Sequence, residues 1–333
     1  MRQKPSQTRQ TISDREAVRF FAERDSFLVY THNSPDADTL GSAAALVLGL
    51  RQLGKTAYAW NREGIPTNLR FLNEGTPFIE SLSSLPSSFS PTLVSVDVAS
   101  KKMLSEEDRH VFALSVDHHA VCSVECENLW LKDDYPAVGQ MIYELLTGLG
   151  VHIDQPIASA LYAAVSSDSG GFRYESTKPS TMLVAADLMR TGIDCAKINR
   201  SLFDCKSMAR IRLESAAGLK VELHFGNKFA LVCLTEEDLK QSGAAEEDTV
   251  GLNDIPRRIS GVEFSAVIRP KDGAAKCSFR SNGITDVASL AMSLGGGGHK
   301  RASSFVRPGM SVEEMRELVL QAAETCLKET FPS

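Results

Sequence analysis

THNSPDADTLGS, residues 31–42, is the most informative stretch of this chain. It takes over from an apolar, aromatic run, FLVYTH (27–32), and leads into an Ala/Leu-rich segment, TLGSAAALVLGLRQLG (39–54), that stops at Gly54. The first run reads as a strand and the second as a helix ended by glycine. The pattern then repeats outward. KTAYAW (55–60), PTLVSVDVAS (91–100), VFALSVDHH (111–119) and ENLWL (127–131) read as strands, and 137–149, 155–166 and 179–189 as helices. Strands separated by helices predict an α/β fold with an N-terminal doubly wound, mainly parallel sheet.

After Gly192 the pattern changes. Residues 195–222 read as a helical connector, and KFALVCLT (228–235) as a new strand. Thr235 and Asp238 form a capping pair before another helix. GVEFSAVIRP (261–270), a turn at Lys271–Gly273 and AAKCSFRSN (274–282) read as a hairpin, so the second sheet contains antiparallel pairs. Ser311 and Glu314 make a capping box for a terminal helix. The expected organisation is a catalytic, metal-binding domain over 1–192, a helical linker over 193–225 and a smaller α/β domain with a mixed sheet over 226–333. No low-complexity segment or internal repeat interrupts it.

Bulk properties set limits on function. A chain of 333 residues exceeds what one hydrophobic core usually serves. With 43% hydrophobic and 23% charged residues it is an ordinary globular composition. No apolar run reaches the roughly 18 residues of a membrane span, and the polar start lacks a secretory apolar core, so no membrane partner and a cytoplasmic location are expected. Seven scattered cysteines without CxxC pairs read as reduced thiols. A net charge of −6 argues against a grip on long nucleic acid, which calls for a basic surface.

The chemistry-bearing residues lie at predicted strand or helix ends. They are His32, Asp36 and Asp38, then Asp97 in SVDVAS (95–100), then Asp117, His118 and His119 in SVDHHA (115–120), and Asp168 in SSDSGGF (166–172). In open α/β sheets ligands bind at the carboxyl ends of strands. Each residue alone has a plainer reading: Asp38 as the N-cap before Thr39, Asp36 as a turn residue, Asp97 and Asp168 as helix caps. Capping does not account for four segments delivering acids and imidazoles to one edge. Asp36, Asp38, Asp97 and Asp168 with two imidazoles form an oxygen–nitrogen set suited to divalent first-row ions, manganese above all as carboxylate content rises. Two such ions would balance four carboxylates and take the chain from −6 to about −2. Ions about 3.5–4 Å apart need one bridging carboxylate.

These four blocks resemble the signature of the DHH phosphoesterases, whose triplet is here Asp117-His118-His119. SLGGGGHKRASSF (293–305), GVEFSAVIRP and CSFRSNGITDVASLA resemble the DHH-associated domain that accompanies them. Within that family the chain is most similar to the nanoRNase (oligoribonuclease) and pAp phosphatase group. The resemblance implies that His32 and Asp36 hold one manganese ion, that Asp38, His118 and Asp168 hold the other, and that Asp97 bridges them. Magnesium or another divalent ion is the alternative metal. Asp117 would orient an imidazole, and His119 would face the substrate phosphate and its leaving oxygen. Arg280, Gly296, Gly297, Gly298 and His299 would bind a nucleotide, the glycine amides serving as an anion nest. The implied substrates are short single-stranded oligonucleotides or 3′-phosphoadenosine 5′-phosphate (pAp). Cyclic di-AMP or linear pApA, pyrophosphate and a catalytically inactive nucleotide-binding regulator are the alternatives. A homodimer is allowed for. Two segments depart from the family pattern: AVCSVECEN (120–128) and PAVGQMIYELL (136–146), the latter with Ala-Val-Gly in place of a small Ser-containing run.

Overall fold

The computed structural model describes residues 9–75 and 77–331. The chain divides into two compact units, Met1–Cys205 and Lys206–Ser333. In the first unit the elements run β1 (Gln10–Thr11), α1 (Asp14–Ala22), β2 (Ser26–Tyr30), α2 (Ala37–Gln52), β3 (Thr56–Trp60), β4 (Thr92–Val96), β5 (Phe112–Asp117), β6 (Cys126–Leu131), α3 (Val138–Gly148), α4 (Gln155–Asp168), α5 (Pro179–Arg190) and α6 (Cys195–Asn199). Its six strands lie in the order β1-β6-β5-β4-β2-β3, and every pairing is parallel. The chain leaves β2 towards β3 and returns on the other side of β2 with β4. That reversal is a topological switch point, where the carboxyl ends of neighbouring strands open a crevice.

Helix α2 is buried over most of its length, from Ala37 to Leu50. An amphipathic surface helix would not read as AAALVLGL; a helix apolar all round has to be covered. Small residues let the cover come close. A Cβ on Gly41 would lie 2.4 Å from the Ala160 carbonyl of α4, and one on Gly49 would lie 2.4 Å from Leu146 of α3. The antiparallel pair α2 and α4 thereby sets the first turn of one against the last turn of the other.

The predicted 193–225 connector is divided between the units. Ile198 of α6 joins the first core. The second unit opens with α7 (Met208–Leu219) and continues as β7 (Val221–His224), β8 (Phe229–Cys233), α8 (Glu236–Ser242), α9 (Asp254–Arg257), β9 (Phe264–Lys271), β10 (Ala274–Ser281), α10 (Val287–Ser293), β11 (Gly297–His299), β12 (Ala302–Pro308) and α11 (Val312–Thr330). Leu213 and Ala217 of α7 are part of its core. The sheet order is β11-β12-β10-β9-β8-β7. Only β8 and β9 pair in parallel, so the sheet is mixed. The predicted hairpin is β9–β10, and its turn holds Asp272 at φ 52° and Gly273 at φ 72°. Two successive positive φ angles give the twist that suits a right-handed hairpin.

Candidate metal centre

The carboxyl ends of β2, β4 and β5 flank the switch point, and each ends at a predicted site residue. His32 follows β2, Asp97 follows β4 directly and His118 follows β5 directly. Asp36 is the N-cap of α2, accepting from the amides of Asp38 and Thr39, both at 3.0 Å. The plainer reading of the sequence puts that cap at Asp38. The backbone assigns it to Asp36 because Ala37 is already helical, which frees the Asp38 carboxylate to turn inward. Asp168 closes α4.

The geometry resolves into three overlapping groups, two of which contain Asp97. Ligand atoms of His32, Asp36 and Asp97 lie within 4.8 Å of one another, as do those of Asp38, His118 and Asp168, and those of Asp97, His118 and His119. The Nε2 atom of His32 is 3.5 Å from Asp97 Oδ2 and 3.8 Å from Asp36 Oδ2. On the other side, His118 Nε2 is 3.6 Å from Asp97 Oδ1, 3.6 Å from Asp168 Oδ2 and 3.8 Å from Asp38 Oδ2. The Asp97 carboxylate thus turns Oδ2 towards His32 and Oδ1 towards His118.

Both imidazoles are held in a ligating orientation. His32 Nδ1 lies 2.7 Å from the Asn33 carbonyl, and His118 Nδ1 lies 3.1 Å from the Tyr135 carbonyl. A carbonyl only accepts, so in each ring Nδ1 donates and Nε2 is the atom turned towards the carboxylates. Asn61 braces the first histidine from behind, donating to the carbonyl of His32 at 2.9 Å and to Thr31 Oγ1 at 2.7 Å. Asp117 Oδ1 accepts from the amides of His118 and His119 at 2.8 and 3.1 Å and lies 2.7 Å from His119 Nδ1.

Asp38 is fully buried. Its Oδ2 accepts from the amide of Val138 at 2.8 Å, and its Oδ1 from the amide of Gly139 at 2.9 Å and from Ser42 Oγ at 3.0 Å. The amides are those of the first turn of α3, where unpaired N–H groups and the helix dipole favour an anion. This is what the unusual Ala-Val-Gly run does. A Cβ on Gly139 would stand 2.5 Å from Ala164 Cβ and 3.5 Å from Asp38 Oδ1, so only glycine lets α3 approach. The sequence flagged the segment as a departure; its role became visible only with the helix in place.

Electrostatically the centre is overcrowded with negative charge. Burial, together with repulsion from Asp38 and Asp36, pushes the Asp97 carboxyl well above its ordinary range. Burial and repulsion from Asp36, Asp38 and Asp97 do the same to Asp168. Asp38 is raised by burial, against the His118 ring and the two α3 amides, which lower it. Burial opposes charging His119, but the Asp117 hydrogen bond and the carboxylates of Asp97, Asp117 and Asp38 outweigh it and lift its pKa to about 9. Among the described residues Asp97 Oδ1 is buried with no hydrogen-bond partner, and Asp97 itself sits at φ 59°. A strained backbone that aims an unsatisfied carboxylate oxygen at two imidazoles has a clear rationale if cations complete it. Oxygen donors, two correctly oriented imidazoles and the missing positive charge all fit divalent ions.

The second unit places the other predicted residues. Arg280 lies on β10, opposite Ala302 of β12, and Ala302 is in turn opposite His299 of β11, so the three occupy one row. The His299 side chain lies outside the described residues. The glycine run is not a loose loop. The amides of Gly295 and Gly296 bond to the Met292 and Ala291 carbonyls and close α10. Gly297 and Gly298 pair with Ser304 and Ser303. A Cβ on Gly296 would be 2.2 Å from the Ser304 carbonyl, and one on Gly298 would be 2.5 Å from that of Ala302. Close strand packing is therefore one reason for these glycines. No described helix is long and apolar enough to cross a membrane.

Comparison with known proteins agrees with this picture. Residues 26–165 match the DHH family, N-terminal domain, and residues 227–329 match the DHHA1 domain. A bifunctional oligoribonuclease and PAP phosphatase NrnA from Thermus thermophilus is 30% identical over 88% of this chain and 88% of its own length. A probable manganese-dependent inorganic pyrophosphatase from Streptococcus mutans is 26% identical over 78% of this chain and 79% of its own. In fold, the crystal structure of an exopolyphosphatase-related protein from Bacteroides fragilis superposes with a TM-score of 0.86 at 23% identity, covering 96% of this chain and 97% of that one. With its two domains in order and its acids and imidazoles gathered at the switch point, the chain belongs to the DHH family of phosphoesterases and is a hydrolase.

Proposed function

We propose that the protein is a manganese-dependent phosphoesterase that hydrolyses short oligonucleotides to mononucleotides and removes phosphate from pAp. The observation that carries this reading is the arrangement of two ligand groups around the Asp97 carboxylate, whose Oδ2 faces His32 and whose Oδ1 faces His118. In it His32 and Asp36 serve one ion, Asp38, His118 and Asp168 the other, and Asp97 both. When bound, such a pair of ions polarises a phosphoryl oxygen and activates water at neutral pH. The chain's own residues do the rest. Asn61, Tyr135 and the amides of Val138 and Gly139 hold the ligands in register. Asp117 fixes the His119 ring with Nδ1 protonated. His119 then donates to the phosphoryl oxygens or to the leaving oxygen, a role for which general acids contribute roughly 10²–10⁴-fold.

Arg280, His299 and Gly296 to Gly298 of the second unit bind the nucleotide. Arginine suits phosphate through its planar fork of donors. The relative named as an oligoribonuclease and PAP phosphatase supports this substrate class. The pyrophosphatase relative supports manganese and supplies the rival reading. A panel of linear dinucleotide, cyclic dinucleotide, pAp and pyrophosphate with manganese tests both. Cleavage of the dinucleotide and pAp is expected. Turnover of pyrophosphate alone would replace the reading, and inactivity on all four would end it.

A further inference from the structure

Residues of β10 alternate strictly. Ala275, Cys277 and Phe279 enter the core beneath α10 and α11. Lys276, Ser278 and Arg280 are only half buried and lie on the opposite face. On that face Leu213 and Ala217 of α7 cover Val232 and Val267 of β8 and β9. Towards β12 and β11 the cover ends. Ser304 and Ala302 are half buried, Val306 is 45% exposed, and a Cβ on Gly297 would meet nothing within 4 Å. The result is a flat floor of small side chains with a cation at each end of one strand. Four residues of strand put the Cα atoms of Lys276 and Arg280 roughly 13 Å apart.

Lys276 is only partly compensated there, by Glu246. Among the described residues it has no hydrogen-bond or ion-pair partner. Its cross-strand neighbour is Arg269. The nearby carboxylate, Glu246, is already shared by Arg269 and Lys271. Burial and these like charges push the Lys276 amine below its usual range. A half-buried ammonium beside other cations is unfavourable by itself and becomes favourable when an anion arrives.

We propose that this face is a second phosphate-binding strip, on which Lys276 takes a backbone phosphate of a single-stranded oligonucleotide beyond the phosphate taken by Arg280. The inference rests on Arg280 as a nucleotide ligand and deepens that reading. Lys276 gives the enzyme a preference for oligonucleotides of several residues over pAp or a dinucleotide, which are too short to reach both cations.

The test uses the full-length chain and its Lys276→Ala and Lys276→Arg variants on pAp, a diribonucleotide and a pentaribonucleotide. Lys276→Ala is expected to raise KM for the pentamer roughly tenfold, the worth of one charge-assisted contact. Its kcat, and its kinetics on pAp and the dinucleotide, stay within about twofold, and Lys276→Arg restores the pentamer. In a metal-free binding titration, the slope of log K against log salt for the pentamer falls by about 0.7 in Lys276→Ala, one phosphate contact on a single strand. Equal losses on pAp and the pentamer would mean that both cations share one phosphate and would overturn the proposal, as would no change at any length. If the wild type cleaves neither oligonucleotides nor pAp, the functional reading fails, and the titration slope alone then decides the strip.

Discussion

In the first unit four carboxylates converge on one crevice, Asp38 and Asp97 buried within it, and Asp97 Oδ1 lacks any described donor. In the second unit Lys276 and Arg280 stand over small residues on an open sheet face. Both arrangements gather like charges, but the physical settings differ. Burial makes repulsion in the first unit strong and leaves small, compact cations as the natural remedy. Half-burial on an open face makes repulsion in the second weaker, so a long, flexible anion can come and go. The difference teaches where to look for stability traded for function: in the acid cluster rather than on the basic strip.

The largest expected effect separates the two sites by removing the shared ligand. Asp97→Asn, chosen because asparagine tolerates the positive φ, should lower kcat by roughly a thousandfold or more, since metal ions supply several kcal/mol of transition-state stabilisation. In the metal-free protein the same change should raise stability by about 1 kcal/mol, because a buried, repelled carboxylate is gone. Steady-state kinetics and denaturant unfolding read the two halves. Full activity in the variant would sink the bridging assignment.

Metal depletion comes next. Manganese at about a hundred times its Kd should stabilise the first unit by about 2.7 kcal/mol per site and leave the second unit's transition in place. Calorimetry with and without chelator measures this, and an identical upward shift of both transitions would break the contrast between the units.

Gly139→Ala probes the scaffold rather than a ligand. The added Cβ would stand 2.5 Å from Ala164 Cβ, so α3 must move away from Asp38 at a cost of about 1–3 kcal/mol. Activity should fall with stability, and excess manganese should recover part of it. Arg280→Ala is smaller. KM for pAp should rise about tenfold with hydrolysis of pyrophosphate unaffected, as for the loss of one charge-assisted contact. A parallel loss on pyrophosphate would place Arg280 elsewhere in the chemistry.

The smallest effect lies away from both sites. Burial would raise the Asp108 carboxyl, but hydrogen bonds from Arg62, Ser105 and Trp60 outweigh it and hold it below its ordinary value. Its contribution is therefore present above the unfolded value near about pH 3.9 and lost as pH falls through the lower folded value. Asp108→Asn should cost about 1 kcal/mol at neutral pH, discounted because Arg62 is 38% exposed. The gap to the wild type should close below about pH 4. An unchanged gap in acid would refute the ionic origin.

The parallel sheet, its helices and the hairpin at Asp272–Gly273 were legible in the sequence, because strand length, helix period and turn chemistry are local signals. So were the positions of His32, Asp36, Asp38, Asp97, His118 and Asp168 at element ends, since polar residues interrupting apolar runs mark where a strand leaves the core. The sequence could not say that Asp36 rather than Asp38 caps α2, because the choice depends on which residue first turns helical. Nor could it assign Gly139, Asn61 and the Tyr135 carbonyl. Their roles arise from contacts across 17 to 101 positions of chain, which no local pattern encodes. The glycine run 295–298 shows the same limit: it read as an anion nest, while the sheet also uses it for a helix end and a close-packed strand. By itself the sequence determined which chemical groups exist and which secondary structure carries them. Only tertiary structure decided which oxygen meets which ring, because that follows from the packing of α2, α3 and α4 at distances a single methyl group would spoil.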